Sequence, residues 1–127
     1  MAIPQPVSVT AISDEITEPY QQRLLATVDD KYDVKIAKVK GPYAWHAHAL
    51  EDELFYVLEG TLLLSFEENT SGQDSAESGT TTVSVHKGEM IVVPRGMRHQ
   101  PDSEDGCTIM LMEQRDTVQA GTSPSRG

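Results

Sequence analysis

The stretch that decides the fold is residues 41–60, GPYAWHAHALEDELFYVLEG. It places His46 and His48 two residues apart in a largely apolar run, followed by an acidic turn, Glu53, and a second apolar run that ends at Gly60. In a strand, residues i and i+2 lie on the same side, roughly 6.6 Å apart along its axis. Two imidazoles in that arrangement can reach one metal ion. The stretch therefore has the outline of a metal site in a β protein.

Taken alone, the same residues leave other interpretations open. His46 and His48 could equally be a pair of partly buried strand histidines, and Glu53 by itself is more typical of a solvated turn carboxylate. Glu53 follows His48 by five residues, so an unbroken strand would direct its side chain to the opposite face. Residues 49–52 must therefore turn or bulge if Glu53 is to join the site.

The composition narrows the class of protein. A chain of 127 residues predicts one domain with a single sizeable core. Its formal net charge of −10 disfavours binding to nucleic acid or to anionic membranes, and no apolar run approaches the roughly 18 residues of a transmembrane helix. Cys107 is the single cysteine and residues 1–10 show no secretory signal, so we expect a cytoplasmic protein.

Many short apolar runs separated by polar turns predict an antiparallel barrel or sandwich. The predicted strands are residues 23–28, 32–39, 54–58, 62–64, 80–85, 90–93 and 107–112. One short N-terminal helix is predicted with Ser13 as its N-cap, ending before Pro19. Glu59 and Gly60 are predicted to form a tight hairpin turn.

The division of the chain follows from the same pattern. We expect an extended N-terminal arm at residues 1–9 and a single barrel domain at residues 10–120. Within that domain, residues 67–79 are polar and low in complexity, which is typical of a mobile loop. Residues 121–127 are rich in Ser and Gly and are expected to form a disordered tail.

A second stretch, residues 88–99, reads GEMIVVPRGMRH. The spacing of the second cupin motif, G-x5-P-x-G-x2-H, is matched by Gly88, Pro94, Gly96 and His99. The spacing of the first, H-x-H-x3,4-E-x6-G, is matched by His46, His48, Glu53 and Gly60. The sequence therefore resembles a small single-domain cupin over residues 33–113.

The resemblance implies an all-β fold, an antiparallel double-stranded β-helix (the cupin or jelly-roll barrel), with the site inside it. It implies one divalent transition metal per chain (iron, manganese, nickel, cobalt or zinc), bound by His46, His48, Glu53 and His99. His86 falls outside both motifs and is interpreted as a turn histidine. Gly41 lies one residue closer to His46 than in the family pattern, and Ser103 stands where the pattern has asparagine; neither is a ligand.

The side chains next to the ligands are predicted from strand alternation. If His46 and His48 point inward, Ala44 should do so too, while Tyr43 and Trp45 face outward. The substrate pocket is predicted to be formed by Phe55, Val57, Met97 and Met110. A core aromatic is nevertheless the simpler interpretation of Phe55.

Three charged residues are weak catalytic candidates because they flank the motifs: Glu51, Arg95 and Arg98. The arginines could hold an anionic substrate at the mouth of the barrel, and the carboxylate could act as a base. A solvated turn carboxylate and surface ion pairs with the acidic loops explain these residues at least as well.

Fold alone does not determine activity in this family. By resemblance to quercetin dioxygenase and germin-type manganese oxalate oxidases, we expect a metal-dependent enzyme, first of all a dioxygenase- or oxidase-type oxidoreductase acting on a small organic substrate. The alternatives are a metal-assisted isomerase, epimerase, cyclase or lyase that uses Lewis-acid chemistry, and a non-catalytic ligand-binding barrel. Residues 54–58 and 62–64 are apolar on both faces, which also allows a homodimer.

Overall fold

The computed structural model describes residues 2–68 and 79–115. The tail predicted at 121–127, and all but the ends of the loop predicted at 67–79, lie outside these residues. Within the described ranges, no helix is long and apolar enough to span a membrane.

The described residues form one short helix and eight strands. In chain order they are α1 (Val9–Asp14), β1 (Gln22–Val28), β2 (Tyr32–Val39), β3 (Glu53–Glu59), β4 (Thr61–Glu67), β5 (Thr80–His86), β6 (Met90–Val93), β7 (His99–Asp102) and β8 (Cys107–Gln114). The strands pair antiparallel in two sheets, one of order β1-β2-β8-β3-β6 and one of order β5-β4-β7. The prediction of an all-β antiparallel jelly roll with one short N-terminal helix is confirmed.

The core lies between the two sheets. It is formed by inward-facing side chains of both, and its members are Ala37, Val39, Phe55, Val57, Leu62, Leu64, Val85, Val93, Cys107, Ile109 and Leu111. Burying each of the larger aliphatic or aromatic side chains stabilises the fold by roughly 1.5–3 kcal/mol before entropy is subtracted. Successive side chains of a strand point to opposite faces, so only every second residue of each strand points into the core.

The helix begins earlier than predicted. Ser8, with extended backbone angles, is the N-cap, and its Oγ accepts a hydrogen bond from the amide of Ala11 at 3.2 Å. The prediction that Ser13 caps the helix is wrong, since Ser13 lies in the last turn of α1. Both serines satisfy the chemistry of a cap, and the acidic residues after Ser13 favoured the later one.

The predicted hairpin at Glu59 and Gly60 is also wrong. Strand β3 belongs to the five-stranded sheet and β4 to the three-stranded sheet, so the chain turns a corner at Gly60 instead of folding β4 back onto β3. Gly60 has φ = 82°, and a Cβ there would lie 2.6 Å from the carbonyl oxygen of Gly106. The glycine therefore lets the chain leave the five-stranded sheet while passing close to the backbone at the start of β8.

The segment that carries the two spaced histidines is not a regular strand. Residues 40–52 run alongside β7, with Tyr43 N–H donating to the Pro101 carbonyl and one bridge in which His46 and His99 exchange backbone hydrogen bonds of 3.0 and 2.8 Å. Without a continuous ladder, alternation is not enforced along it. Ala44 is exposed, contrary to prediction, and half-buried Tyr43 faces the interior instead.

The outer face of the five-stranded sheet carries two apolar rows that follow the strand register. One row contains Val34, Met112, Leu54 and Val92; the other contains Ile36, Met110, Tyr56 and Met90. Ile36 is buried, while Met90 and Val92 are about half exposed, at 56% and 51%. We call these eight side chains the outer apolar rows. They explain why β3 is apolar on both faces.

Candidate metal centre

The structure brings the four residues of the two motifs into one buried cluster. One donor atom each from His46, His48, Glu53 and His99 lies within 4.8 Å of the others. Each of the four side chains is at most 3% exposed. We refer to them as the metal cluster.

Three parts of the fold position the cluster. Glu53 is the first residue of β3 and pairs with Val93, and the chain bends just before it at residues 49–50, so its side chain faces inward as the ligand hypothesis requires. His99 is the first residue of β7. His48 is tied to the turn before β7, because its carbonyl accepts a 2.7 Å hydrogen bond from Gly96 N–H.

Backbone carbonyls fix the orientation of two of the imidazoles. Nδ1 of His46 lies 2.9 Å from the Ala44 carbonyl oxygen, and Nδ1 of His99 lies 2.9 Å from the Met97 carbonyl oxygen. A carbonyl oxygen can only accept, so Nδ1 carries the proton in both rings. Each Nε2 is then left with a lone pair, which is the form that binds a metal ion.

The lone pairs converge on a place where a cation fits. Nε2 of His46 and Nε2 of His99 are buried and have no hydrogen-bond partner among the described residues. Oε1 of Glu53 lies 3.1 Å from Nε2 of His48 and 3.6 Å from Nε2 of His99. Buried acceptors without a donor are costly, and a cation removes that cost. Three imidazole nitrogens and one carboxylate suit a first-row transition metal, whereas calcium and magnesium prefer all-oxygen sites.

The protonation states agree with this arrangement. Burial lowers the pKa of His46, which keeps its imidazole neutral. Burial alone would raise the pKa of Glu53, but the hydrogen bond with His48 and the nearby His99 imidazole hold the pKa of that carboxyl well below its usual range. A neutral imidazole and an ionised carboxylate are the forms that metals bind. Burial, together with the charge of Glu53, raises the pKa of the neighbouring Glu113 to about 7.

A small cavity adjoins the cluster inside the barrel. His46 and Glu53 form part of its wall, and three aromatic side chains, Tyr20, Tyr43 and Phe55, form another part. The remaining wall is mostly aliphatic. The volume open to the centre of a water molecule is about 30 Å³, which is room for one or two waters.

Comparison with known proteins settles the family. A family model described as a cupin domain matches residues 34–112. The chain belongs to the cupin family. YdbB from Bacillus subtilis, an uncharacterised protein, is 30% identical over 96 residues, covering 76% of this cupin and 74% of YdbB. Germin-like protein 12-2 from Oryza sativa is 38% identical over 60 residues, covering 47% of this cupin and 25% of that protein.

Solved structures give the same fold. A cupin-2 domain protein from Shewanella frigidimarina superposes with a TM-score of 0.72 at 32% identity, covering 86% of this cupin and 94% of that chain. Hydroquinone 1,2-dioxygenase from Sphingomonas sp. TTNP3, with 4-hydroxybenzoate bound, gives a TM-score of 0.67 at 14% identity, covering 91% and 81%. At that identity the likeness concerns the fold alone.

Of the pocket residues predicted for this cupin, Phe55 lines the cavity. Val57 is fully buried in the core beside it. Met110 instead lies on the outer face, because it alternates along β8 with the inward residues Ile109 and Leu111. Met97 is 40% exposed in the turn before β7. Neither methionine forms part of the cavity wall.

Tyr20 and Tyr43 were missed by the sequence patterns. Their rings stack with centroids 4.5 Å apart, and Tyr43 meets His46 edge-on at 5.5 Å. The Tyr20 O–H donates to the Gly41 carbonyl oxygen at 2.5 Å. Neither tyrosine belongs to a motif or to an alternating strand, so no local signal marks them.

The weak catalytic candidates lie outside the cavity wall. Arg95 binds Asp52, with Nε 3.3 Å from Oδ1, and Arg98 lies 3.4 Å from Glu67 and over the ring of Trp45. Both arginines are at least half exposed and form the surface ion pairs that were the alternative interpretation. Glu51 is half-buried and is not part of the cluster. His86 is exposed at the end of β5, away from the cluster.

Proposed function

We propose that this cupin is a metal-dependent oxidoreductase, of the dioxygenase or oxidase type, that acts on a small organic substrate inside the barrel. The observation that carries the proposal is the opening of the four-donor cluster onto a cavity with aromatic and aliphatic walls. Two of the four donors, His46 and Glu53, line that cavity directly. The aromatic and aliphatic character of these walls suits a small phenolic or enolisable compound that binds through oxygen, and the cavity, which now has room for only one or two waters, must widen to admit it.

Each part of the site has a task in this proposal. The metal cluster holds one divalent ion, which would supply Lewis-acid or redox chemistry at coordination positions that the protein leaves open. Tyr20, Tyr43 and Phe55 exclude water and pack against the substrate ring or chain. Gln22, a polar residue of the cavity wall, can donate an amide hydrogen bond to a substrate oxygen.

Known dioxygenases support the choice of substrates to test first. Hydroquinone 1,2-dioxygenase shares this fold and was solved with a hydroxybenzoate bound. Since that likeness concerns the fold alone, the proposal depends on the metal cluster and its cavity. Hydroquinones, catechols and other small phenols are the first compounds to screen.

The first test is metal content. Protein purified without a chelator or a polyhistidine tag should contain about one transition metal ion per chain. His46→Ala and His99→Ala should lose most of this metal, because each variant has only three of the four ligands. His86→Ala is the matched control, since His86 is exposed and lies outside the cluster. Full metal content in folded His46→Ala and His99→Ala proteins would refute the ligand assignment.

The second test separates the reaction types. Iron, manganese or nickel together with substrate-dependent oxygen uptake supports an oxidoreductase. If the protein contains zinc and its turnover is unchanged under anaerobic conditions, the oxidoreductase proposal is wrong and the protein is a metal-assisted isomerase, epimerase, cyclase or lyase. Tight ligand binding by metal-free protein, with no turnover, would replace the oxidoreductase by a binding barrel.

The proposal extends to assembly and location. We expect a homodimer in which a second copy covers the outer apolar rows, since side chains such as Met90 and Val92 are otherwise half exposed to water. We also expect the cytoplasm, because the single cysteine, Cys107, is a buried free thiol that suits a reducing compartment.

A further inference from the structure

Beside the metal cluster, the inner face of the five-stranded sheet carries more buried charge than a core requires. Asp33, Lys35 and Glu113 are each at most 5% exposed. Asp33 pairs with Glu113 across β2 and β8. On the other side of β8, Leu54 pairs with Met112, which places Glu53 next to Glu113. Three carboxylates, those of Asp33, Glu113 and Glu53, therefore lie side by side on three adjacent strands.

The partners of these groups are unequal. Asp33 accepts a 3.0 Å hydrogen bond from Thr27. Lys35 Nζ lies 3.0 Å from Oε1 of Glu113 and is the only lysine or arginine side chain that is buried in the described part of the chain. The other oxygen of Glu113, Oε2, is buried and receives no hydrogen bond from a described donor. Glu113 therefore has one cationic partner on one side and the metal-cluster carboxylate of Glu53 on the other.

The net charge of these buried groups favours a divalent cation at the metal cluster. When Glu113 is ionised beside Lys35, three carboxylates and one ammonium leave two negative charges on the inner face, and the imidazoles of the cluster are neutral when they bind a metal. A divalent cation at the cluster cancels both charges. Buried charges a few ångströms apart interact strongly because little water screens them. Glu113 is one strand from Glu53, about 4.8 Å, whereas Asp33 is two strands away.

We propose that Glu113 sets the affinity of the metal cluster for a divalent cation by acting through Glu53, and that Lys35 holds Glu113 in that position. Neither residue is a ligand. This inference rests on the proposed metal centre and adds to it a positioning pair that lies outside both cupin motifs. Carboxylates that support metal ligands commonly change metal affinity about 10- to 100-fold when they are replaced.

The test is calorimetric titration of metal-free protein with Co²⁺ at pH 8. Glu113→Gln, which keeps the shape of the side chain, should bind Co²⁺ about 10- to 100-fold more weakly than wild type. Asp33→Asn is the matched control and should change the affinity much less, because it is one strand farther away. The visible Co²⁺ spectrum at saturation should be unchanged in Glu113→Gln, since all four donors remain, and altered in Glu53→Gln.

Thermal melting distinguishes charge balance from a purely structural role. The rise in Tm on adding Co²⁺ should be smaller than wild type in both Glu113→Gln and Lys35→Met, because the first removes the negative charge beside Glu53 and the second removes the group that holds Glu113 in place. A structural pair would lower the Tm of both metal-free variants and leave the metal-induced rise unchanged. If Lys35→Met does not fold, the titration of Glu113→Gln still decides.

The possible failures are separable. Wild-type affinity in Glu113→Gln, or an equal loss in Asp33→Asn, would overturn this inference while leaving the metal centre intact. Failure of wild type itself to bind Co²⁺, Mn²⁺ or Zn²⁺ any better than His46→Ala would overturn the metal centre and this inference with it.

Discussion

Gly60 combines a left-handed backbone with a close approach to the start of β8. A Cβ at this position would lie 2.6 Å from the Gly106 carbonyl oxygen and 2.9 Å from Cβ of Cys107. Gly88 has a similar φ of 85°, but nothing lies within 4 Å of its added Cβ. Replacing Gly88 with alanine would therefore cause backbone strain alone, whereas replacing Gly60 would cause backbone strain and steric overlap.

We predict that Gly60→Ala lowers the free energy of unfolding by about 3 kcal/mol and Gly88→Ala by only about 1 kcal/mol. Both variants place alanine in the left-handed region, and only the first also forces two backbones apart. Urea unfolding followed by the fluorescence of Trp45 measures both. Equal losses would show that the corner at Gly60 and the start of β8 can move apart without cost.

Tyr20 is expected to make the fold sensitive to alkali. Burial, followed by the nearby charge of Asp102, raises the pKa of Tyr20 well above the ordinary value of 10.0. Because the folded state holds the proton more tightly, its stabilising contribution is complete below pH 10 and is lost as pH rises from there toward the folded-state pKa.

The corresponding variant is Tyr20→Phe, which cannot ionise. Wild type should lose more stability between pH 9 and pH 11 than Tyr20→Phe, as measured by the midpoint of urea unfolding at each pH. Parallel losses in the two proteins would mean that the Tyr20 phenol ionises as readily in the folded state as in the unfolded one.

At the scale of elements, the segment 40–52 is joined to the turn before β7 through Asp52. Its Oδ1 accepts hydrogen bonds from the backbone N–H of Arg95 at 2.9 Å and from the Arg95 side chain at 3.3 Å. The segment contains His46 and His48 and leads into Glu53, and the turn leads into His99. Asp52 thus ties two ligand-bearing parts of the chain to each other.

Hydrogen exchange can isolate this tie. In Asp52→Ala, the Arg95 amide should exchange markedly faster than in wild type, because its acceptor is gone. In Arg95→Ala, the same backbone amide keeps its acceptor and should exchange nearly as slowly as in wild type. If the Arg95 amide instead exchanges equally fast in Asp52→Ala and in Arg95→Ala, its protection depends on the side-chain ion pair.

The elements also show what the sequence could and could not predict. The approximate bounds of seven of the eight strands and the inward facing of Phe55 follow from local alternation and were predicted, whereas β7 was not. The inward facing of Glu53 was expected only if residues 49–52 turn or bulge. The corner at Gly60 was mistaken for a hairpin, because a corner and a hairpin can each have a glycine between two apolar strands. They differ in whether the second strand pairs with the first, and β4 does not pair with β3. The ligands were recognisable from fixed spacings. Tyr43 and the Lys35–Glu113 pair were not, since pairings between distant strands bring them to the site.

At the scale of the whole molecule, the outer apolar rows predict a dimer that one charge should break. Val92→Glu places a carboxylate among apolar side chains and should convert the dimer to a monomer, measured as molar mass by light scattering after size exclusion. Ser84→Glu is the matched control, because Ser84 is also an exposed strand residue but lies in the other sheet, on the face opposite to the core residue Val85. A monomeric wild type would contradict the proposed dimer.

The metal cluster draws on both sheets. Glu53 begins a strand of the five-stranded sheet, and His99 begins a strand of the three-stranded sheet. A bound ion would therefore act as a crosslink between the sheets, much as a disulfide closes a loop. Pulling the sheets apart would require breaking coordination bonds, so a bound ion would slow unfolding and give the protein kinetic stability. Release of the metal to a chelator should then be no faster than the opening of the barrel itself.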